Sequence, residues 1–378
     1  MPKMPNGLPD ISQYRYTGAY ELAIPLIENC NMACEFCFEN QCHQHPPITK
    51  EGVLEVLPIV LDYMRPIVAT GKFKSIDLKL WGGELLYDAL PDWLFDVYRY
   101  FVGELKKELK LPFTIVFLSN GMFWNYKRVD KLLCDLGAHI SLSYDPVGRF
   151  KNEKQRKHFQ ETVDHYLTNG YLESISITLT KPTIAAYIKD DEMYNNFPRT
   201  LQTIVNFYVP NNQWQKYVPS AQDYYDFYMW AIRHRFFNID VITSIMYYMI
   251  PEQHKNIVTM CNCKEATQYL PWAKKCSDNC IERVLDLDPQ EHFYGKYTDE
   301  VNEENHFEVR SSLSRFKNGC IYCEHFGKCT MMCPTAILFK EYDAAFCPIK
   351  KAYESITPDN IEAFKDWEEM VKRKDDKK

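Results

Sequence analysis

From about residue 20 onward the chain alternates between two hydrophobic periods. Short apolar runs that suit a strand are followed by longer segments with apolar residues at helical spacing. The first strand-like run, Ala23 to Ile27, leads directly into a cysteine-rich stretch. Thr49 then opens a helical segment with Leu54, Val56, Leu57, Val60, Leu61 and Met64 on a repeating face. The same reading predicts strands at Ser75–Trp81, Phe113–Leu118, His139–Ser143, Ser174–Thr180 and Thr203–Val209. It predicts helices at Pro91–Leu109, Tyr126–Leu136 and Lys154–Leu167. Strands separated by helices pair in parallel, so six such units predict an α/β fold, a partial (β/α)6 TIM-like barrel. Further on, Tyr224, Tyr225, Tyr228 and Trp230 fall at the spacing of a helix packed in a core, in preference to an aromatic-lined peptide channel.

The unusual residues all fall just after predicted strands. Three cysteines follow the first, Gly82-Gly83-Glu84 the second, Ser119-Asn120-Gly121 the third and Ser143-Tyr144-Asp145-Pro146 the fourth. In a parallel barrel the loops at the C-terminal ends of the strands build the site. Asn-Gly and Asp-Pro are also ordinary turn formers, and that reading stands beside the functional one.

At 378 residues, 46% of them apolar, the chain can bury a large core. Its net charge of −7 argues against a nucleic-acid binder, which needs clustered Lys and Arg against phosphates. The N-terminal stretch MPKMPNGLPDISQ has no apolar signal region. The apolar stretch from Ile239 to Ile250 is too short to span a membrane. A cytoplasmic protein is therefore expected, and in a reducing compartment 14 cysteines point to metal or redox chemistry rather than to disulfides.

Cys30, Cys34 and Cys37 are spaced C-x3-C-x2-C. Thiolates are soft ligands and select zinc or iron–sulfur over magnesium or calcium. A structural zinc site wants four ligands, so a zinc knuckle would need Cys42 or His43 to complete it. On a four-iron cubane, three ligands leave one iron open to something other than protein. Phe36, just before Cys37, can cover such a cluster from water.

This trio, placed after the first strand of an α/β barrel and with an aromatic before its last cysteine, resembles the radical S-adenosylmethionine (SAM) enzymes. The resemblance covers about Tyr20 to Val209. It implies that SAM chelates the fourth iron of the [4Fe–4S] cluster and is cleaved to a 5′-deoxyadenosyl radical. It also implies SAM contacts from Gly82, Gly83 and Glu84, with Glu84 accepting from the SAM ammonium, and from Ser119 and Asn120. Ser143 and Asp145 would meet the ribose or carboxylate, and Arg149 would pair with the carboxylate.

A second cysteine region, Cys320, Cys323, Cys329 and Cys333 in the spacing C-x2-C-x5-C-x3-C with Cys347 after a gap, closely resembles the SPASM extension of that family. By resemblance, two auxiliary [4Fe–4S] clusters would sit there. One would use Cys320, Cys323, Cys329 and Cys347; the other would use Cys333 with upstream cysteines. Cys263, Cys276 and Cys280 are the preferred upstream set, with Cys261 as substitute. The family's glycine five residues before an upstream ligand is Pro271 here, counting from Cys276. Zinc is the competing metal, but zinc cannot pass the electrons that the N-terminal trio needs. Cys134 reads as a small buried hydrophobe, and so, more loosely, does Cys42. The expected organisation is an N-terminal extension over 1–19, a barrel over 20–250, and a cluster domain with a C-terminal helix over 251–378.

The resemblance implies a peptide maturase acting on a ribosomally made precursor and forming an intramolecular crosslink, with an aryl-to-Cβ cyclophane bond as the first choice. A thioether-forming maturase and an anaerobic sulfatase-maturing, formylglycine-generating enzyme are the alternatives. Against the latter, no Cys-Asp-Phe stretch of the kind those relatives carry lies beside an auxiliary-cluster cysteine. A non-enzymatic metal-binding scaffold or electron carrier is the reading from another class. The implied partners are the precursor peptide and a one-electron donor of flavodoxin or ferredoxin type, with no nucleic acid and no membrane. Only 29 residues precede Cys30, too few for a leader-gripping module. Leader recognition is therefore expected from the barrel and C-terminal domain, around Thr183 to Trp214, or from a separate leader-binding protein. No general acid or base stands out.

Overall fold

The computed structural model describes residues 19–27, 29–37, 47–69, 71, 73–189, 197–207, 215–250 and 347–375. These form two compact units that divide at residue 177, within a strand.

The first unit is built of βα repeats: β1 (Ala19–Ile27), α1 (Lys50–Leu54), α2 (Val56–Ala69), β2 (Ser75–Gly82), α3 (Asp92–Leu109), β3 (Phe113–Ser119), α4 (Tyr126–Leu136), β4 (His139–Ser143), α5 (Glu153–Thr168) and β5 (Leu172–Leu179). The strands pair in parallel, in sequence order. The sheet runs β1-β2-β3-β4-β5-β6, with β6 at Gln202–Phe207. This is the curled α/β half-barrel that the alternating pattern predicts.

Register explains the core. Leu22 and Ile24 of β1 lie opposite Leu78 and Leu80 of β2, which lie opposite Ile115 and Phe117 of β3. All six are fully buried. Because strand side chains alternate, one face of the sheet carries this apolar layer. Helix α3 covers it with Leu94, Phe95, Tyr98, Phe101, Val102 and Leu105, all buried. Each such side chain stabilises the fold by about 1.5–3 kcal/mol through apolar area removed from water. Thr49 caps α1, Asn125 caps α4 and Asn152 caps α5, each accepting a backbone N–H of the first turn. The apolar face of α4 is Val129, Leu132, Leu133 and Leu136. Cys134 falls off that face and is exposed, which corrects its expected burial.

In the second unit α6 (Lys181–Lys189) and β6 are followed by α7 (Ala221–Arg233) and α8 (Asp240–Tyr248), then by α9 (Pro348–Ser355) and α10 (Pro358–Asp375). A reciprocal capping box between Ser220 and Asp223 starts α7. Tyr224, Tyr228 and Trp230 are buried on it, as the helical spacing predicts, whereas Tyr225 is half-buried with its hydroxyl 3.0 Å from Ser355 Oγ; Tyr187 of α6 stacks on Trp230 with ring centroids 5.6 Å apart. Helix α10 closes this core through Phe364, edge-on to Phe237 and Tyr247, and through the Trp367 indole N–H, which donates to the Arg199 carbonyl at 2.9 Å.

Among the described residues no helix is long and apolar enough to cross a membrane. Cys42, Cys261, Cys263, Cys276, Cys280, Cys320, Cys323, Cys329 and Cys333 lie outside the described residues. So do His43, 190–196 and 208–214, the last two from the expected leader-binding region.

Candidate active site

Parallel pairing puts the C-terminal ends of β1 to β4 on one rim. The loop from β1 carries Cys30, Cys34 and Cys37, and it is tied to each of the next three loops. Gly83 N–H donates to the Ile27 carbonyl and Glu84 N–H to the Asn29 carbonyl, both at 2.8 Å, which fixes the exit of β2 against the exit of β1. Asn120 Nδ2 donates to Asn31 Oδ1 at 2.8 Å and to Cys30 Sγ at 3.7 Å, which joins the β3 exit. Glu35 N–H donates to the Gly148 carbonyl at 3.3 Å, which joins the turn after β4. Within the cysteine loop, Cys37 N–H donates to the Cys34 carbonyl at 3.1 Å.

Gly82 is required by backbone crowding. A shift in register between Pro25 and Ile27 brings Ile27 opposite Gly82. A Cβ on Gly82 would lie 2.0 Å from the Ile27 carbonyl oxygen, and its φ of +149° is one that other residues rarely adopt. This is a structural reason for the glycine, alongside the ligand approach expected of it.

Glu84 is 1% exposed, and its carboxylate braces two loops. Oε1 accepts from Leu86 N–H at 3.0 Å and from Ser119 Oγ–H at 2.8 Å; Oε2 accepts from Asn120 N–H at 2.6 Å. Burial pushes its carboxyl up to about 7, and those three donors oppose the rise. Ser119 Oγ also accepts from Gly121 N–H at 3.1 Å, so it serves the turn as well.

On the other side of the cysteine loop, the fully buried Asp145 pairs with the largely buried Arg149, whose Nε lies 2.8 Å from Asp145 Oδ2. Burial weighs against the guanidinium charge, but Asp145, then Cys34 and Cys37, more than offset it and hold it firmly protonated. Its cationic carbon stands 5.7 Å from the centre of the Phe36 ring. Ser143 ends β4 on the same rim.

The thiols themselves sit in an unfavourable place for bare thiolates. Burial pushes Cys30 up to about 12, with Glu84, Cys34 and Cys37 adding to the rise and the Met32 N–H opposing it. Burial also raises Cys34, opposed by Arg149. Three sulfurs within electrostatic reach of one another in such a site call for a cationic centre to hold them deprotonated. Among the described residues no three His, Cys, Asp or Glu side chains converge as ligands of a single ion. Three cysteines that each take a different iron of a cubane need no such convergence. The chemistry of the donor set, three soft sulfurs with burial raising Cys30 and Cys34, fits such a cluster, which Cys30, Cys34 and Cys37 would hold.

Sequence reasoning missed Asn31, which holds Asn120, and Gly148, which admits Phe36. The position of Asn31 beside the first cysteine was the available signal for one, and the glycine before Arg149 for the other. Cys347 caps α9 in the second unit, with its Sγ accepting from Lys350 N–H at 3.5 Å.

No protein-family model matches the sequence, and no curated protein matches it. Solved structures do. Native anSMEcpe with bound AdoMet and the Kp18Cys peptide superposes with a TM-score of 0.62 at 17% identity, over 92% of this chain and 99% of that one. Native anSMEcpe with AdoMet and the Cp18Cys peptide gives 0.60 at 16% identity, over 92% and 99%. Native anSMEcpe with bound AdoMet gives 0.60 at 16%, over 92% and 99%. The anSME enzymes are anaerobic sulfatase-maturating enzymes of the radical SAM/SPASM type. At these identities the likeness establishes the fold, which is the one the cysteine motif and the strand pattern resemble.

Proposed function

We propose that the protein is a radical SAM enzyme that modifies a peptide. The observation that carries this is the knotting of one three-cysteine loop to the exits of β2, β3 and β4 by backbone and amide hydrogen bonds. When bound, the cluster and SAM supply the electron and the 5′-deoxyadenosyl radical that removes hydrogen from an unactivated C–H bond. The residues of this chain do the rest. Cys30, Cys34 and Cys37 would hold the cluster. Glu84 keeps one acceptor site on Oε2 for the SAM ammonium, since among the described residues only Asn120 N–H engages that oxygen. Arg149, fixed by Asp145 beneath Phe36, offers positive charge for the SAM carboxylate. Ser119, Asn120, Ser143, Gly82 and Gly83 shape the rim, and Phe36 keeps water from the cluster.

Within that class we propose an intramolecular crosslink in a ribosomally made precursor, with an aryl-to-Cβ bond as first choice. The C-terminal cysteines, including Cys347, would hold auxiliary clusters, and a ferredoxin- or flavodoxin-type protein would deliver the electron. The second reading is formylglycine formation, favoured by the likeness to anSMEcpe with its bound peptides. Anaerobic reconstitution followed by SAM and dithionite tests the class: 5′-deoxyadenosine is expected. Zinc in place of iron, with no 5′-deoxyadenosine, would support a metal scaffold instead. Co-expression with the product of a short neighbouring reading frame separates the two chemistries. Loss of two hydrogens marks a crosslink; exchange of sulfur for oxygen with loss of hydrogen marks formylglycine.

A further inference from the structure

We propose that Asn31 and Asn120 act as a paired-amide clamp that aims an N–H at the sulfur of Cys30 and so raises the reduction potential of the cluster bound there. The inference rests on the reading of Cys30, Cys34 and Cys37 as cluster ligands.

The orientation of both amides is dictated by the backbone of a single residue. Met122 N–H, which can only donate, lies 2.8 Å from Asn120 Oδ1. The Met122 carbonyl, which can only accept, lies 2.6 Å from Asn31 Nδ2. Asn120 must therefore present its NH2 on the other side, and Asn31 its oxygen. The two meet at 2.8 Å, and this contact uses one of the two Asn120 N–H bonds. The second N–H points at Cys30 Sγ, 3.7 Å from Nδ2. Asn120 is 5% exposed, so this donor is shielded from competing water. Its own backbone N–H is held at 2.6 Å by Glu84, which removes the remaining freedom of the turn.

Cys30 Sγ also accepts from Met32 N–H at 3.4 Å. That bond is local to the loop and survives any side-chain change. The Asn120 bond comes from another strand and depends on side-chain chemistry. A donor to a ligating thiolate withdraws electron density from the iron and stabilises the reduced, more negative cluster. Asn120 and Asn31 are thus positioning residues, and potential is the quantity that they set.

The test is an EPR-monitored redox titration of the reconstituted full-length protein, following the cluster signal that changes when SAM is added. Asn120→Leu keeps the shape and removes both N–H groups. It is expected to lower the one-electron reduction equilibrium about tenfold, or 59 mV for a one-electron couple. Asn120→Asp keeps the acceptor for Met122 and places an anionic oxygen against the sulfur, so it is expected to lower the midpoint further. Asn31→Leu leaves Asn120 on Met122 but frees its NH2, and is expected to move the midpoint the same way by less. If Asn120→Leu does not fold, Asn120→Asp and Asn31→Leu carry the test between them. Midpoints within twofold of the wild-type equilibrium in both would overturn the proposal, whatever their effect on melting temperature. Failure of the underlying reading looks different: the wild-type protein would then show no cluster signal that responds to SAM.

Discussion

Phe36 packs on the bare α-carbon of Gly148. A Cβ there would sit 3.1 Å from Phe36 Cδ1, and Gly148 has φ of +84°. The aromatic of the cysteine loop is thereby seated on the turn after β4, in line with the bond from Glu35 N–H to the Gly148 carbonyl. Gly148→Ala combines a strained backbone with a displaced ring. It is expected to cost about 1–3 kcal/mol in urea unfolding and to lower the iron retained after anaerobic reconstitution. Phe36→Leu on the Gly148→Ala background should recover part of the iron content, because the smaller side chain relieves the clash but not the φ.

Gly82 faces a harder limit. The carbonyl of Ile27 stands 2.0 Å from where its Cβ would be, and a backbone atom in a paired strand cannot swing aside. Gly82→Ala is expected to destabilise the protein by about 4 kcal/mol or more, among the larger effects single substitutions produce. Loss of soluble protein on expression at 37 °C, partly restored at low temperature, would show it. A stable, normally folded Gly82→Ala protein would contradict the strand register that places Ile27 opposite Gly82.

The strands and helices were legible because each buries one face, and burial leaves a period in the sequence. Tyr126–Leu136 and His139–Ser143 match the predicted bounds, and most other ends differ by a residue or two. β1 begins earlier than predicted, at Ala19, because Tyr20 and Glu21 break the apolar run that marks Ala23 to Ile27. The placement of odd residues on one rim was legible too, since parallel order alone dictates it. The contacts between loops were not. Asn31 and Met122 are 91 positions apart, and Glu35 and Gly148 further still, so no local spacing records their meeting. Nor does composition reveal that Glu84 spends its carboxylate on Leu86, Ser119 and Asn120, or that Asp145 and Arg149 are each other's partners.

Glu84 predicts a pH dependence of stability with an unusual sign. Its carboxyl is raised from 4.5 to about 7 by burial, so the folded protein binds the proton more tightly than the unfolded chain. Its penalty is absent below the unfolded value, grows as pH rises through the window from 4.5 to about 7, and is complete above it. At 1.36 kcal/mol per pH unit the loss amounts to about 3 kcal/mol. Glu84→Gln cannot titrate, although its NH2 must face a backbone N–H on one side or the other and forfeits a hydrogen bond. Urea unfolding of the SAM-free protein at a series of pH values checks this. The wild type should lose stability from pH 5 to pH 7.5 with a slope steeper than that of Glu84→Gln by up to one proton. Equal slopes would show that Glu84 is ionised throughout.

The Asp145–Arg149 pair holds two opposite charges largely out of water beside the cysteine loop. Asp145 is fully buried and the Arg149 side chain is only 11% exposed, so Asp145→Asn leaves a largely desolvated guanidinium facing a neutral amide. Removing one partner of a buried pair is expected to cost about 3–5 kcal/mol, more than removing both in favour of apolar side chains. Asp145→Leu combined with Arg149→Met should therefore be more stable than Asp145→Leu alone, with a coupling of about 0.5–3 kcal/mol in a double-mutant cycle. Reconstitution separates stability from chemistry. Arg149 opposes the rise of the Cys34 thiol and Asp145 adds to it, so Arg149→Met with Asp145 retained should take up iron more slowly at neutral pH than the double variant, with the gap closing at pH 8.5. Additive losses in the cycle would mean that the two side chains act independently. Asp145 would then owe its burial to the backbone turn rather than to Arg149.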